Sequence, residues 1–202
     1  MIGPGAGPVN ASPPPCGRAS GRDPNDPARY VWSRSPRKTG PHRPIGNREA
    51  AMPLPRIGST PPAFTLHAAS GRTVSLADYA GRPVLLWFFP RAYGGNCTKQ
   101  ACSFRDRAAD YAGKKAVVLG ITTSTAADLK AWGSEVGLAS ELLSDTGREV
   151  CTAYGALESA DQERPSRISV LIGADGKVAR TWTVADAAGH PAEALKDLAK
   201  IA

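Results

Sequence analysis

Val84-Leu85-Leu86-Trp87-Phe88-Phe89 is an unbroken apolar run closed by Pro90. A strand with one wet face alternates polar and apolar residues. A run with no polar member belongs to a strand covered on both faces. A second such run, Ala116-Val117-Val118-Leu119-Gly120-Ile121-Thr122, follows after a stretch that reads as a helix. Two doubly covered strands separated by a helix call for a crossover connection with helices packed on the sheet. The pattern therefore predicts an α/β domain with a partly parallel sheet.

The flanking segments fit that frame. Ala63-Phe64-Thr65-Leu66-His67 alternates, Ser70-Gly71 is a turn signal, and Thr73-Val74-Ser75-Leu76 returns, predicting a β-hairpin before the first buried strand. Ala77 to Gly81 reads as one helical turn. After Pro90 come Gly94-Gly95 and then Asn96, a candidate N-cap for a helix over 97–112, with Gly113 as its C-cap. Ser124 is the expected cap of a helix reaching Val136. Leu142-Leu143-Ser144 reads as a short strand and 147–154 as a short helix. The stretches 167–172 and 178–184 form a hairpin around Asp175-Gly176. Pro191 opens a last helix running to about Ala199. Trp87, Trp132 and Trp182 are expected in core positions, Cys151 inside a helix core, and His190 as a helix cap.

Composition separates a leader from this domain. Residues 1–51 hold eight of the 25 Lys/Arg, three of the 18 Asp/Glu and ten of the 18 prolines. Such a stretch cannot bury enough apolar surface to offset its conformational entropy, so 1–51 is expected to be a disordered tail and 52–202 the folded domain. Met52 is the expected true translation start. The basic residues of the tail are scattered among prolines, and Tyr30 and Trp32 are its only aromatics. A nucleic-acid partner is not expected from that pattern. No apolar run approaches the ~18 residues of a helical membrane span, and no secretory signal is expected from the first residues. The expected compartment is the cytoplasm.

The chemistry concentrates at Cys97-Thr98-Lys99-Gln100-Ala101-Cys102. Cys97 sits where a buried strand passes through a loop into a helix. The first turn of a helix presents unpaired N–H groups and a partial positive charge, and both favour thiolate over thiol. Cys97 is therefore expected to be an activated nucleophile. Cys102 lies five residues on. In an intact α-helix that spacing separates the Cα atoms by roughly 8.6 Å, whereas a disulfide needs less than about 7 Å. The two can bond only if the first helical turns unwind. A zinc site would need further ligands, and Cys16, Cys151, His42, His67 and His190 lack ligand-like spacing, so no metal is expected.

The folded part resembles the peroxiredoxins, in particular the bacterioferritin comigratory protein or peroxiredoxin Q subgroup. The resemblance runs over about 56–201 and is carried by five blocks in order. They are Pro62-Ala63-Phe64-Thr65-Leu66, 85–90, 97–106, Leu142-Leu143-Ser144-Asp145 and 167–172. It implies a thioredoxin-like fold, here a central mixed sheet flanked by helices with an extra N-terminal β-hairpin. It also implies reduction of hydroperoxides without metal or organic cofactor, and recycling by thioredoxin or a similar dithiol in a protein expected to be monomeric. Residue by residue, Cys97 matches the peroxidatic cysteine and Cys102 the resolving one. Arg167 matches the active-site arginine, and Pro90 the proline that shields the pocket.

Two positions depart from the pattern. The family places a Thr or Ser three residues before the peroxidatic cysteine, and here that residue is Gly94, with Asn96 where the subgroup has glycine. Pro90, Gly94 and Asn96 are the expected substrate-binding positions. Losing one preorganised polar group typically costs on the order of 3 kcal/mol at a transition state. Restoring the hydroxyl with Gly94→Thr would on that ground raise the rate. The alternative function is a peroxiredoxin-like binding or holdase module, impaired as a peroxidase and responsive to oxidation. A protein thiol–disulfide oxidoreductase is a third option, disfavoured by the five-residue spacing.

Overall fold

The computed structural model describes residues 53–159 and 161–201. The expected tail 1–51, with Met52 and Cys16, lies outside the described residues. The chain forms β1 (Thr65–Ala68), β2 (Thr73–Ser75), a 3-10 turn (Leu76–Tyr79), β3 (Val84–Phe88), α1 (Gly95–Asp106) and α2 (Ala108–Gly113). It continues through β4 (Val117–Thr122), α3 (Ala126–Val136), β5 (Glu141–Ser144), α4 (Glu149–Ala153), β6 (Ile168–Ile172), β7 (Val178–Thr183) and α5 (His190–Leu198). Among the described residues no helix is long and apolar enough to cross a membrane.

The strands form one seven-stranded mixed sheet in the order β2-β1-β5-β4-β3-β6-β7. β3 runs parallel to β4 and β4 to β5, while β6 lies antiparallel to β3 and to β7. The N-terminal hairpin joins the sheet through β1 against β5, with His67 opposite Ser144.

The apolar run of β3 has no gap because both faces are covered. Leu85, Trp87 and Phe89 point into one core with Phe104, Trp132, Trp182 and Leu198. Val84, Leu86 and Phe88 point into the other with Phe64, Ile121, Leu143, Cys151 and Tyr154. Cys151 and the three tryptophans thus take the core positions expected of them. Trp87 stacks on Phe89 with centroids 4.4 Å apart. Gly120 makes this possible: a Cβ there would lie 2.9 Å from the Trp87 ring and 2.7 Å from Leu142 Cδ2.

Five local expectations need correction, the simplest being the C-cap expected at Gly113, which is the last residue of α2 with Lys114 as its cap. The cap of α1 is Gly94, not Asn96: Gly94 is extended (φ −70°, ψ 133°) and its carbonyl already accepts from the Thr98 amide at 2.8 Å. The single helix expected over 97–112 breaks at Arg107. The Arg107 guanidinium bonds the Ser103 carbonyl at 3.1 Å, while its own amide bonds Phe104 instead. The cap of α3 is Thr125, whose hydroxyl accepts from the Asp128 amide. Ser124 is committed elsewhere, accepting from the Ala92 amide at 3.1 Å and so tying the loop after β3 to the end of β4. His190 is no cap either. It is the first residue of α5, only 2% exposed, with Gly189 as the cap.

Candidate active site

β3 ends at Phe88, and the loop that follows reverses through Tyr93, a non-glycine residue held at φ 60°. It feeds α1 with its N-terminus over the end of the sheet. Helical bonding starts at Thr98, so the amides of Gly95, Asn96 and Cys97 precede the first helical bond. Cys97 is the third residue of α1, two positions deeper in the helix than Asn96 capping would have put it. Its side chain is 3% exposed and packs in the core beneath α1.

Arg167 precedes β6, which pairs Ile168 with Phe88 and Thr183 at the same end of the sheet. That register delivers the guanidinium to the helix mouth. Its Nη2 donates to Cys97 Sγ at 3.3 Å and its Nη1 to Gln100 Oε1 at 2.6 Å. A guanidinium is always charged and presents donors in a fixed fork, so one side chain serves both atoms. The structure thus brings Cys97 and Arg167 together across 70 positions of sequence. Cys97 and Cys151 are free thiols, so no bond joins Cys97 to Cys102. Cys102 is 5% exposed on the same continuous helix.

The other expected site residues lie on the loop and first helical turn that lead into Cys97. Pro90 is half-buried two residues after the end of β3, Gly94 half-buried at the cap, and Asn96 exposed. Gly94 does not leave a void. A Cβ there would lie 2.9 Å from Cys97 Sγ, so the sulfur occupies the space that a side chain at 94 would need.

Sequence reasoning missed three supporting residues. Gln100 is fully buried and bonded to Arg167. Its position three residues after Cys97 puts it on the same helix face, a signal that was available. Thr98 Oγ1 accepts from Trp132 Nε1 at 3.3 Å, linking α1 to α3. His190 Nε2 meets Ser169 Oγ at 2.9 Å, edge-on to Trp182 and Phe104. Burial lowers the His190 pKa to about 4, the Arg167 charge acting in the same direction and Asp186 against it.

A buried sulfur at the mouth of a helix, bonded by an arginine placed just before the neighbouring strand of a thioredoxin-like sheet, defines a thiol redox protein. Comparison places it more narrowly. The chain belongs to the AhpC/TSA family, whose model matches residues 57–181. A putative peroxiredoxin of Mycobacterium tuberculosis (strain ATCC 25618 / H37Rv) is 39% identical over 146 residues, spanning 70% of this chain and 93% of that protein. The chloroplastic peroxiredoxin Q of Triticum aestivum is 40% identical over 121 residues, 60% of this chain and 56% of that one. Among solved structures, the peroxidoxin BcpB of M. tuberculosis matches with a TM-score of 0.68 at 28% identity, over 73% of this chain and 99% of its own. A cysteine-to-serine mutant of Xylella fastidiosa PrxQ matches with a TM-score of 0.67 at 21% identity, over 72% and 96%, a likeness of fold.

Proposed function

We propose that this chain is a thiol-dependent peroxidase that reduces hydrogen peroxide and organic hydroperoxides. The observation that carries the reading is the 3.3 Å bond from Arg167 to the buried Cys97 sulfur. A cationic donor at that distance can stabilise the charge that develops on the oxygen leaving a peroxide bond. The Cys97 thiolate attacks the O–O bond, taking one oxygen as sulfenic acid. The other leaves with a proton as water or alcohol. Pro90 would wall the approach, and the mouth around Gly94 and Asn96 would receive the peroxide.

Cys102 would then resolve the intermediate. In the reduced protein its thiol condenses with the Cys97 sulfenic acid, releasing water and forming the disulfide. An external dithiol such as thioredoxin returns both thiols, taking the disulfide itself. Because Cys97 and Cys102 share one continuous helix, this step needs α1 to unwind locally. A reducing compartment such as the cytoplasm would supply the dithiol.

The test begins with protein reduced by excess dithiol and freed of it. Hydrogen peroxide added in equal amount is expected to be consumed at a rate far above that of a free thiol, and peptide mapping should find Cys97 joined to Cys102. Oxidation no faster than that of a free thiol would overturn the reading and favour the binding-module alternative.

The geometry at Gly94 changes what its substitution should do. Adding a methyl group in Gly94→Ala forces the Cys97 sulfur out of the position in which Arg167 bonds it, since the new carbon would stand 2.9 Å from it. Oxidation by peroxide is expected to slow about tenfold, equivalent to ~1.4 kcal/mol. Gly94→Thr carries the same steric load but adds a hydroxyl donor beside the sulfur, so it should react faster than Gly94→Ala. Stopped-flow rates for the three proteins check the order; an alanine variant as fast as the parent would show that the sulfur moves at no cost.

A further inference from the structure

Between the two cysteines, in the segment that must unwind for them to meet, lies a side chain held by a charged partner. Gln100 lies between the two cysteines, is fully buried, and accepts from Arg167 Nη1 at 2.6 Å. Arg167 therefore spans from Cys97 to a point one helical turn deeper, gripping the turn that has to open. The neighbouring tether, Trp132 Nε1 to Thr98 Oγ1, is neutral and longer at 3.3 Å. A hydrogen bond with a charged donor is the stronger kind.

Gln100 also carries the reason for its release. Once Oε1 faces Arg167, the amide nitrogen is fixed on the other side, and Nε2 is buried with no partner among the described residues. A buried orphan donor destabilises the state that holds it, and unwinding returns that donor to water. One end of the amide binds the helix closed and the other end works against it.

We propose that Gln100 is a positioning residue, a latch on Arg167 whose strength sets how fast α1 opens to form the Cys97–Cys102 disulfide. The proposal rests on the peroxidase reading above. The latch is read on the second step, in protein first reduced by dithiol: sulfenic acid plus Cys102 thiol gives disulfide plus water, with no peroxide involved. A tight latch leaves the sulfenic acid waiting, exposed to a second peroxide that would carry it to sulfinic acid. A neutral amide with one unpaired hydrogen-bonding end is a weaker hold than a carboxylate would be.

Two substitutions move the latch in opposite directions. Gln100→Glu gives Arg167 a carboxylate and removes the orphan donor, so the wound helix is held harder. Gln100→Ala removes the acceptor altogether. The readout is the first-order, peroxide-independent rate of disulfide formation after a single turnover, kept separate from the second-order first step. Gln100→Glu is expected to slow it about fivefold and Gln100→Ala to speed it about fivefold. A residue that merely supports the fold would move both variants the same way. Any result other than opposite shifts overturns the latch, and if Gln100→Ala does not fold, the Glu variant decides alone by slowing or not slowing. Absence of a Cys97–Cys102 disulfide in the parent protein would instead overturn the peroxidase reading, so the two failures are distinguishable.

Discussion

Arg167→Met should slow oxidation of Cys97 by hydrogen peroxide at least about a hundredfold while leaving the domain folded. The guanidinium donates directly to the Cys97 sulfur, at 3.3 Å. Removing one preorganised donor from a developing charge typically costs on the order of 3 kcal/mol, and the charge of Arg167 puts it at the upper end of such effects. Methionine keeps much of the length of the side chain, so packing beside Ile168 is disturbed little. Lysine is the informative comparison. Its ammonium keeps the charge, but a single point cannot reach Gln100 Oε1 and Cys97 Sγ with the spacing of the fork. Arg167→Lys should fall between the parent and Arg167→Met. Stopped-flow oxidation at several peroxide concentrations gives the second-order constants, with Cys97→Ser as the zero. Arg167→Met within threefold of the parent would show that the helix mouth alone activates the sulfur.

The parts of this site that could be read from sequence are those set by local pattern. Val84–Phe89 announced a doubly covered strand, and the structure splits its side chains between two cores as a period of two requires. The strand-to-helix handover placed Cys97 in a helix mouth. Pairing that mouth with Arg167 came from family resemblance alone, because no local rule joins residues 70 positions apart. Other misses were competitions between neighbours for the same carbonyl or amide. Asn96 has the chemistry of a cap, but the backbone at Gly94 reached the capping conformation first. Arg107 ended α1 by taking the Ser103 carbonyl with its own side chain. Ser124 lost its cap to Thr125 because its hydroxyl was needed by Ala92. The steric meaning of Gly94 was invisible for a different reason. Sequence shows that a hydroxyl is missing, but only coordinates show that sulfur fills the place.

Acid should loosen this domain through His190, by about 3 kcal/mol over the full titration. The sign follows from where the protons go. Unfolded, His190 takes up its proton near pH 6.5; folded, burial and the Arg167 charge hold its pKa down to about 4, with Asp186 opposing. Between those values the unfolded chain binds more protons than the folded one, so stability rises with pH. Above pH 6.5 the residue is neutral in both states and costs nothing. Stability is lost progressively as pH falls from 6.5, and the loss is complete near pH 4. The shift from 6.5 to about 4 gives the quoted magnitude at ~1.4 kcal/mol per unit. For a domain of this size that corresponds to roughly 6–12 °C in Tm. Carboxylates titrate in the lower part of the same window, so the comparison that isolates His190 is with His190→Gln. Glutamine keeps a polar partner for Ser169 Oγ, 2.9 Å from the imidazole, and removes the titration. The variant's Tm should be flatter between pH 7 and 4, and parallel curves for the two proteins would remove His190 from the account of acid sensitivity. The direction also bears on the site: a protonated His190 would set a second cation against Arg167, so the neutral ring is the form compatible with the guanidinium staying where Cys97 and Gln100 hold it.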